Sequence, residues 1–302
     1  MTYFEKTINN ESYSLIILES DIKQIGKKED YIEIGNGIDN TTNESFDYIW
    51  VNDGHGGQTC INIIKKFGYL KQNVCCDKPM DKLYNIIRNY RNYTKLSMLE
   101  TGAMSSLVKI YKNQETGKGR AVFTNVGDCE FIMLINEKIV YHTKVHKPNN
   151  ENEMKRLREQ GFINNIYKID TYRPCLLSDD SLFMKKSTGI KFNGFSGPFT
   201  QSLGHNELTG FSPSEDTIEF DLSSHVKIVG GSDGLWDLFC PTIIQEHLQI
   251  LNEKNASELT EYAKNQWIKT WKCYETSESQ IFSLQAFPSY DDICCGVWEQ
   301  IP

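Results

Sequence analysis

The sequence predicts an α+β domain in which helices cover antiparallel sheets. Short apolar runs joined by polar turns recur along the chain, and pairs of amphipathic helical patterns interrupt groups of them. No internal repeat or low-complexity linker splits the 302 residues. By the rough prior of about 150 residues per domain this length fits one large domain or two small ones. The missing linker favours a single domain over 1–302.

The first strand is read at 13–18, where apolar residues run together as in a strand covered on both faces, and the second at 31–34. Gly26-Lys27-Lys28-Glu29-Asp30 lies between them. After a polar loop at 39–45, a third strand at 48–51 runs into Asn52-Asp53-Gly54-His55-Gly56-Gly57. From Gln58 the period turns helical, with Ile61 and Ile64 on one stripe and Ile63 and Phe67 beside it. A second helix begins near Pro79, a good first-turn residue, and carries Leu83, Ile86, Ile87 and Tyr90 at helical spacing.

After Gly102 the period falls to two, and strands at 107–111, 121–126, 130–135 and 139–142 read as an antiparallel meander. Asn149 or Asn150 caps a short helix with Met154 and Leu157 inward, stopped by Gly161. Residues 164–197 show no sustained period and are assigned to an insertion or surface flap. Strands return at 217–222 and 225–229, the latter running into Ser232-Asp233-Gly234-Leu235-Trp236-Asp237. Helices follow from Pro241 to about 252 and from Ala256 to about 273, and a closing strand at 293–298 follows Asp291-Asp292.

Composition narrows the function classes. With 39% hydrophobic and 24% charged residues the chain is globular in type. A formal charge of −8 opposes phosphate-backbone binding, so nucleic acid is not expected as a partner, and it mildly favours cations. No run approaches the ~18 apolar residues of a membrane span, and residues 1–10 lack a basic region followed by an apolar one, which argues against spanning and Sec-type secretion. Nine cysteines, odd in number and without C-x-x-C, point to the cytoplasm or another reducing compartment. Six dispersed histidines argue against structural zinc. Cys294 and Cys295 read as packing residues of the last strand, not a redox switch.

Asp53, Asp233 and Asp291 each lie at the mouth of an apolar strand. If those ends converge, three carboxylates meet, and their repulsion calls for a divalent cation. Such hard oxygen ligands suit Mg²⁺ or Mn²⁺. Taken singly, an aspartate beside a glycine is more often a turn former.

The letters are more specific. Asp53-Gly54-His55-Gly56-Gly57 resembles the DGHGG signature of the metal-dependent serine/threonine protein phosphatases of the 2C type. Other blocks follow in that family's order: residues 26–30 for a shortened G-x-R-x-x-x-E-D, Asn125-Val126-Gly127-Asp128 for NVGD, His146-Lys147-Pro148 for HKP, residues 201–205 for R-x-L-G-D, residues 232–237 for SDGLWD, and Asp291-Asp292-Ile293 for DNI. The resemblance implies a four-layer αββα sandwich, two antiparallel sheets flanked by helix pairs, with a two-metal site at one edge. Carried over, Asp53 bridges two Mn²⁺ or Mg²⁺ ions, the Gly54 carbonyl serves one, and Asp233 and Asp291 hold the other. Glu29 and Asp30 order metal-bound water, while Asp128 and Asp237 match positions that bind a third metal in some members. His55 matches a general acid for the leaving seryl or threonyl oxygen, or alternatively a structural donor at the turn.

The match departs at Ile25, where the phosphate-binding arginine is expected. Lys27 or Lys28 is the candidate replacement, without the bidentate fork. Glu130, Val145, Gln201, His205 and Asp292 also differ from the pattern. Two functions stand open: hydrolysis of phosphoserine and phosphothreonine in protein substrates, or a catalytically weakened relative acting as a phosphoprotein-binding or regulatory module. The sequence names neither substrate nor oligomeric state.

Overall fold

Alternation along the strands decides what each side chain meets. The computed structural model describes residues 2–9, 12–25, 27–68, 73–95, 97, 99–161, 167–176, 182–192, 195–205, 210–239, 245–269, 271–275, 280–284 and 291–302. The chain runs through β1 (Thr2–Asn9), β2 (Ser12–Lys23), β3 (Tyr31–Ile38), β4 (Ser45–His55), α1 (Gln58–Gly68) and α2 (Pro79–Thr94). Then come β5 (Gly102–Asn113), β6 (Lys118–Val126), β7 (Glu130–Ile135), β8 (Lys138–His142) and α3 (Glu151–Glu159). Strands β9 (Tyr167–Leu176), β10 (Leu182–Phe192), β11 (Phe195–Gly197), β12 (Leu203–Gly204), β13 (Ser214–Asp221) and β14 (Val226–Gly231) follow. The last elements are α4 (Asp233–Trp236), α5 (Gln245–Glu253), α6 (Ala256–Trp267), β15 (Trp271–Glu275), β16 (Gln280–Leu284) and β17 (Ile293–Ile301).

One six-stranded sheet has the order β1-β2-β17-β14-β7-β8 and another β13-β6-β5-β4-β3, with β12 on β5. Ile49 and Val51 of β4 face the space between these sheets, where Phe131, Met133, Ile228 and Trp298 arrive from the other side. The alternate residues Tyr48 and Trp50 face outward onto Ile61, Ile64, Leu83 and Ile87 of α1 and α2. On the far side Ile132, Leu134, Val229 and Val297 meet Leu251, Leu259, Ala263 and Trp267 of α5 and α6. Two antiparallel sheets between helix layers are the α+β sandwich read from the sequence. Cys294 joins the central core and Cys295 the outer one, so the adjacent thiols point into opposite layers. Among the described residues no helix is long and apolar enough to cross a membrane.

The meander is not one sheet. β5 and β6 belong to one and β7 and β8 to the other. Between them Gly127 sits at φ 104°, and a Cβ there would lie 2.1 Å from Met104 Cγ, so only glycine lets the chain cross from sheet to sheet at this point. The helix expected to reach 273 ends at Trp267, because residues 271–275 pair as β15 with β10 and β16. That long-range pairing overrides a local helical pattern. The stretch 164–197 contributes β9, β10 and β11, which with β15 and β16 form a third, five-stranded sheet. Strand β1, paired to β2 along its length, has no counterpart in the sequence reading. Residue Gly26 and the proposed helix start at Pro241 lie outside the described residues.

Helix α3 is capped by Asn150, whose side chain accepts from Asn152 N, and it buries Met154 and Leu157 as the period requires. Its Glu153 is also buried. It accepts from Thr200 Oγ1 (2.7 Å) and Gln201 Nε2 (3.0 Å) and pairs with Arg156 (3.1 Å). The Gln201 amide thereby stands where the 2C pattern has arginine, and its Oε1 accepts from Ser212 N. Glu153→Ala leaves the half-buried Arg156 charge and the Gln201 amide without their acceptor. The expected cost is about 3 kcal/mol in urea unfolding, and a cost below about 1 kcal/mol contradicts this account of the network.

Candidate active site

The polypeptide between β2 and β3 is fixed by one side chain. Asp292, buried just before β17, accepts from Ile25 N through Oδ1 and from Glu29 N through Oδ2, both at 2.8 Å. The residue that replaces asparagine of the 2C pattern therefore clamps both ends of this loop. Ile25 turns into the apolar core against α4–α6, which leaves no place there for the expected arginine. Glu29 then bonds the end of β4 twice: its carbonyl accepts from Gly54 N (3.1 Å) and its Oε1 from Gly57 N (2.7 Å). A Cβ on Gly54 would lie 2.4 Å from the Glu29 carbonyl oxygen, so glycine here permits a backbone approach.

Four aspartates meet at this end of the sandwich. Asp53 lies next to the end of the buried run of β4, Asp30 precedes β3, Asp233 opens α4 after β14, and Asp291 precedes β17. Burial pushes the Asp53 carboxyl well above the usual carboxylate range, and Asp233, Asp30, Asp291 and Asp128 add to the shift. Asp30 is raised by burial, then, against a hydrogen bond from Ser232, by Asp291 and Asp233. Asp291 is pushed up to about 6 by burial and Asp233. Each group thus feels the others' charge. Among the described residues Oδ2 of Asp53, Oδ2 of Asp30 and Oε2 of Glu29 are buried without a hydrogen-bond partner.

These orphaned hard oxygens fit a divalent cation in chemistry. As placed, no three His, Cys, Asp or Glu side chains among the described residues close into a metal cage. A small hard cation does not require one, since Mg²⁺ is commonly held by one or two carboxylates and keeps several waters.

Lys27 lies over this cluster. Its Nζ is 3.5 Å from Asp291 Oδ1, and Asp291 foremost, then Asp233 and Asp53 against burial, raise its pKa. Lys28 is exposed and left-handed, at φ 57°. Asp128 is fully buried beyond Asp53, with Lys147 Nζ 3.6 Å from its Oδ2. Asp237, half-buried, closes α4 with its N–H on the Asp233 carbonyl.

His55 contacts His205 through their Nε2 atoms, the rings stacked 4.5 Å apart, with Phe199 4.7 Å from His55. The network assigns the tautomers. Leu99 O can only accept, so His205 Nδ1, 2.6 Å away, carries its proton. Neutral His205 then accepts at Nε2, and His55 donates from its own Nε2. Burial, with His205 next, holds the His55 pKa down to about 3. The Asp292 clamp and the His55–His205 contact escaped the sequence reading. Both join residues more than 100 positions apart, and only the departures from the 2C letters marked them.

The sequence model of a family described as Protein phosphatase 2C matches residues 28–171, which include Asp53, Gly54, His55 and Asp128. No curated protein matches the chain by sequence. Among solved structures, a sex-determining protein of C. elegans is similar at TM-score 0.55 and 13% identity, over 93% of this chain and 64% of that one. The Mycobacterium tuberculosis serine/threonine phosphatase PstP/Ppp is similar at TM-score 0.52 and 13% identity, over 94% and 98%. A phosphatase of Toxoplasma gondii gives TM-score 0.52 and 11% identity, over 92% and 93%. At these identities the likeness is one of fold.

The aspartate cluster has a stability signature. A carboxyl whose folded pKa lies above its unfolded value, ~4, stabilises the fold below that value and loses this contribution as pH climbs through the folded pKa, about 6 for Asp291. EDTA-treated protein is therefore expected to lose stability between pH 4 and 7. Asp53→Asn should flatten that loss and raise the pH 7 midpoint, by about 2–4 °C per kcal/mol of repulsion relieved. Identical pH profiles for the two proteins would remove the electrostatic coupling.

Proposed function

We propose that this chain, which matches the protein phosphatase 2C model over 28–171 and shares the fold of a serine/threonine phosphatase, is a metal-dependent hydrolase of phosphoserine and phosphothreonine in proteins. The observation that carries this reading is the convergence of Asp30, Asp53, Asp233 and Asp291, with buried carboxylate oxygens left unpartnered. In this reading Asp53, the Gly54 carbonyl, Asp233 and Asp291 would hold two Mn²⁺ or Mg²⁺ ions. Glu29 and Asp30 hold water around them. Asp128 and Asp237 are the candidates for a third cation, which would compete with Lys147 at Asp128. When bound, such cations lower the pKa of water and offset the negative charge of phosphoryl transfer.

The chain's own groups do the rest. Lys27, exposed yet tethered to Asp291, is placed to receive substrate phosphate once a cation takes over that carboxylate. Lys28 contributes charge nearby. His55 is the candidate proton donor to the leaving oxygen; with its Nε2–H held by His205 and its pKa held down to about 3, its Nδ1 must first take up a proton to serve, and otherwise His55 is a structural donor at the turn. The cysteine content places this chemistry in a reducing compartment, the cytoplasm in the first instance.

One observation favours the second reading, a weakened relative that binds phosphoproteins without turning them over. Ile25 packs into the core, so no guanidinium faces the phosphate from its position. Hydrolysis of p-nitrophenyl phosphate separates the readings. Millimolar Mn²⁺ is expected to support turnover and EDTA to abolish it without unfolding the protein, whose cores are apolar. Asp53→Asn should remove turnover in Mn²⁺, and equal rates in EDTA and Mn²⁺ would overturn the assignment. The double variant Lys27→Ala, Lys28→Ala is expected to raise KM about tenfold, roughly 1.4 kcal/mol, with a smaller change in kcat. An unchanged KM would return both lysines to the solvated surface.

A further inference from the structure

Charge is unevenly spread along this chain. Between Gln58 and Lys95 it carries eight lysines and arginines against two aspartates, a net charge of +6 inside a protein of net charge −8. That stretch is the outer helix layer, α1 and α2. Their buried faces rest on β4 and β5, but a second face opens outward as a groove of about 520 Å³. Ile63, Phe67, Ile86 and Tyr90 give it an apolar floor, with Lys66 on its wall and Thr59 at one end. Ile86 and Tyr90 are 37% and 39% exposed, and Tyr93, one turn further along α2, is 90% exposed. Lys66, and Lys82 one turn before Ile86 on the same face of α2, are exposed and form no ion pair among the described residues.

An exposed apolar floor is retained where something covers it, and unpaired cations around it select the sign of what does. The groove also adjoins the aspartate cluster. Thr59 stands two residues after Gly57, whose N–H is held by Glu29, so a chain lying along α1 can reach the site without a gap. We propose that this groove docks an acidic segment bearing apolar anchors, carried by the phosphoprotein whose phosphate enters the site. The inference rests on the phosphatase reading and adds its substrate class: proteins with a run of Asp or Glu and spaced Leu, Ile or Phe flanking the phosphorylated residue. Side chains at helical spacing would fill the floor while the acids meet Lys66 and Lys82, a helix-in-groove mode matched to the ~16 Å of α1.

The test uses the full chain and a fluorescein-labelled acidic peptide of about fifteen residues, with leucines one helical turn apart and no phosphate. Anisotropy should report binding that weakens at least tenfold in Lys66→Glu, Lys82→Glu and separately in Ile86→Ser, with thermal midpoints unchanged. Serine in place of the leucines should weaken it equally. A phosphoserine peptide extended by the same tail should show a KM about tenfold below the untailed one, a difference lost in both variants, while p-nitrophenyl phosphate kinetics stay at the wild-type value. Equal affinity of variants and wild type, indifference to the leucines, or tighter charge-dependent capture by phosphatidylserine vesicles than by the peptide each overturns the proposal. If p-nitrophenyl phosphate is not hydrolysed in Mn²⁺, the phosphatase reading falls, and anisotropy still reads the groove.

Discussion

Burying a carboxylate without a partner is costly, and each further carboxylate placed beside it adds repulsion to the loss of solvation. Asp30, Asp53, Asp233 and Asp291 are nevertheless brought to one end of the sandwich by strands whose other residues gain from burial. The apolar cores fix where β4, β14 and β17 stop, and the stops fix the carboxylates. Asp292 supplies the remaining constraint, because its two backbone bonds hold the 25–29 loop against the end of β4 and with it Glu29 and Asp30. A site organised this way has its carboxyl oxygens held in position by the fold itself, while burial and mutual repulsion favour their protonated forms.

The surroundings of that cluster are rebuilt in this chain, and they are rebuilt with fewer charges. Gln201 meets Glu153 through an amide where arginine is the family's letter, and His205 meets His55 as a neutral ring where aspartate is. Ile25 exchanges a surface cation for core contact. Neutral side chains at these positions bind more weakly than charged ones but cost less to desolvate, so the frame can keep its stability while its electrostatic grip on an anion falls.

Much of this was legible in the sequence because it is local. Period two in 130–135 and the 3.6 period after Gln58 return as β7 and α1, and the aspartates stand at strand ends as their neighbours imply. What was not legible is carried by partners distant along the chain. β15 looks helical until β10 pairs with it, and Asp292 looks like one negative charge too many until the amides of Ile25 and Glu29 are beside it, whereas 164–197 escaped the sequence reading although β9 and β10 pair as local neighbours along their length. The break between β6 and β7 was hidden in Gly127, whose positive φ is a property of crossing between sheets that no turn dictionary supplies.

Strand β17 lies in the middle of its sheet, paired with β2 on one side and β14 on the other, though it follows every other described strand in sequence. During synthesis the β1–β2 hairpin and the β14–β7–β8 group therefore have no common neighbour until residues 293–301 have emerged. Closing that gap joins segments more than 200 residues apart, the kind of long-range contact that forms late. The same event delivers Asp291 to the cluster and Asp292 to the loop it clamps. The pairing that closes this sheet is thus the same event that completes the carboxylate site.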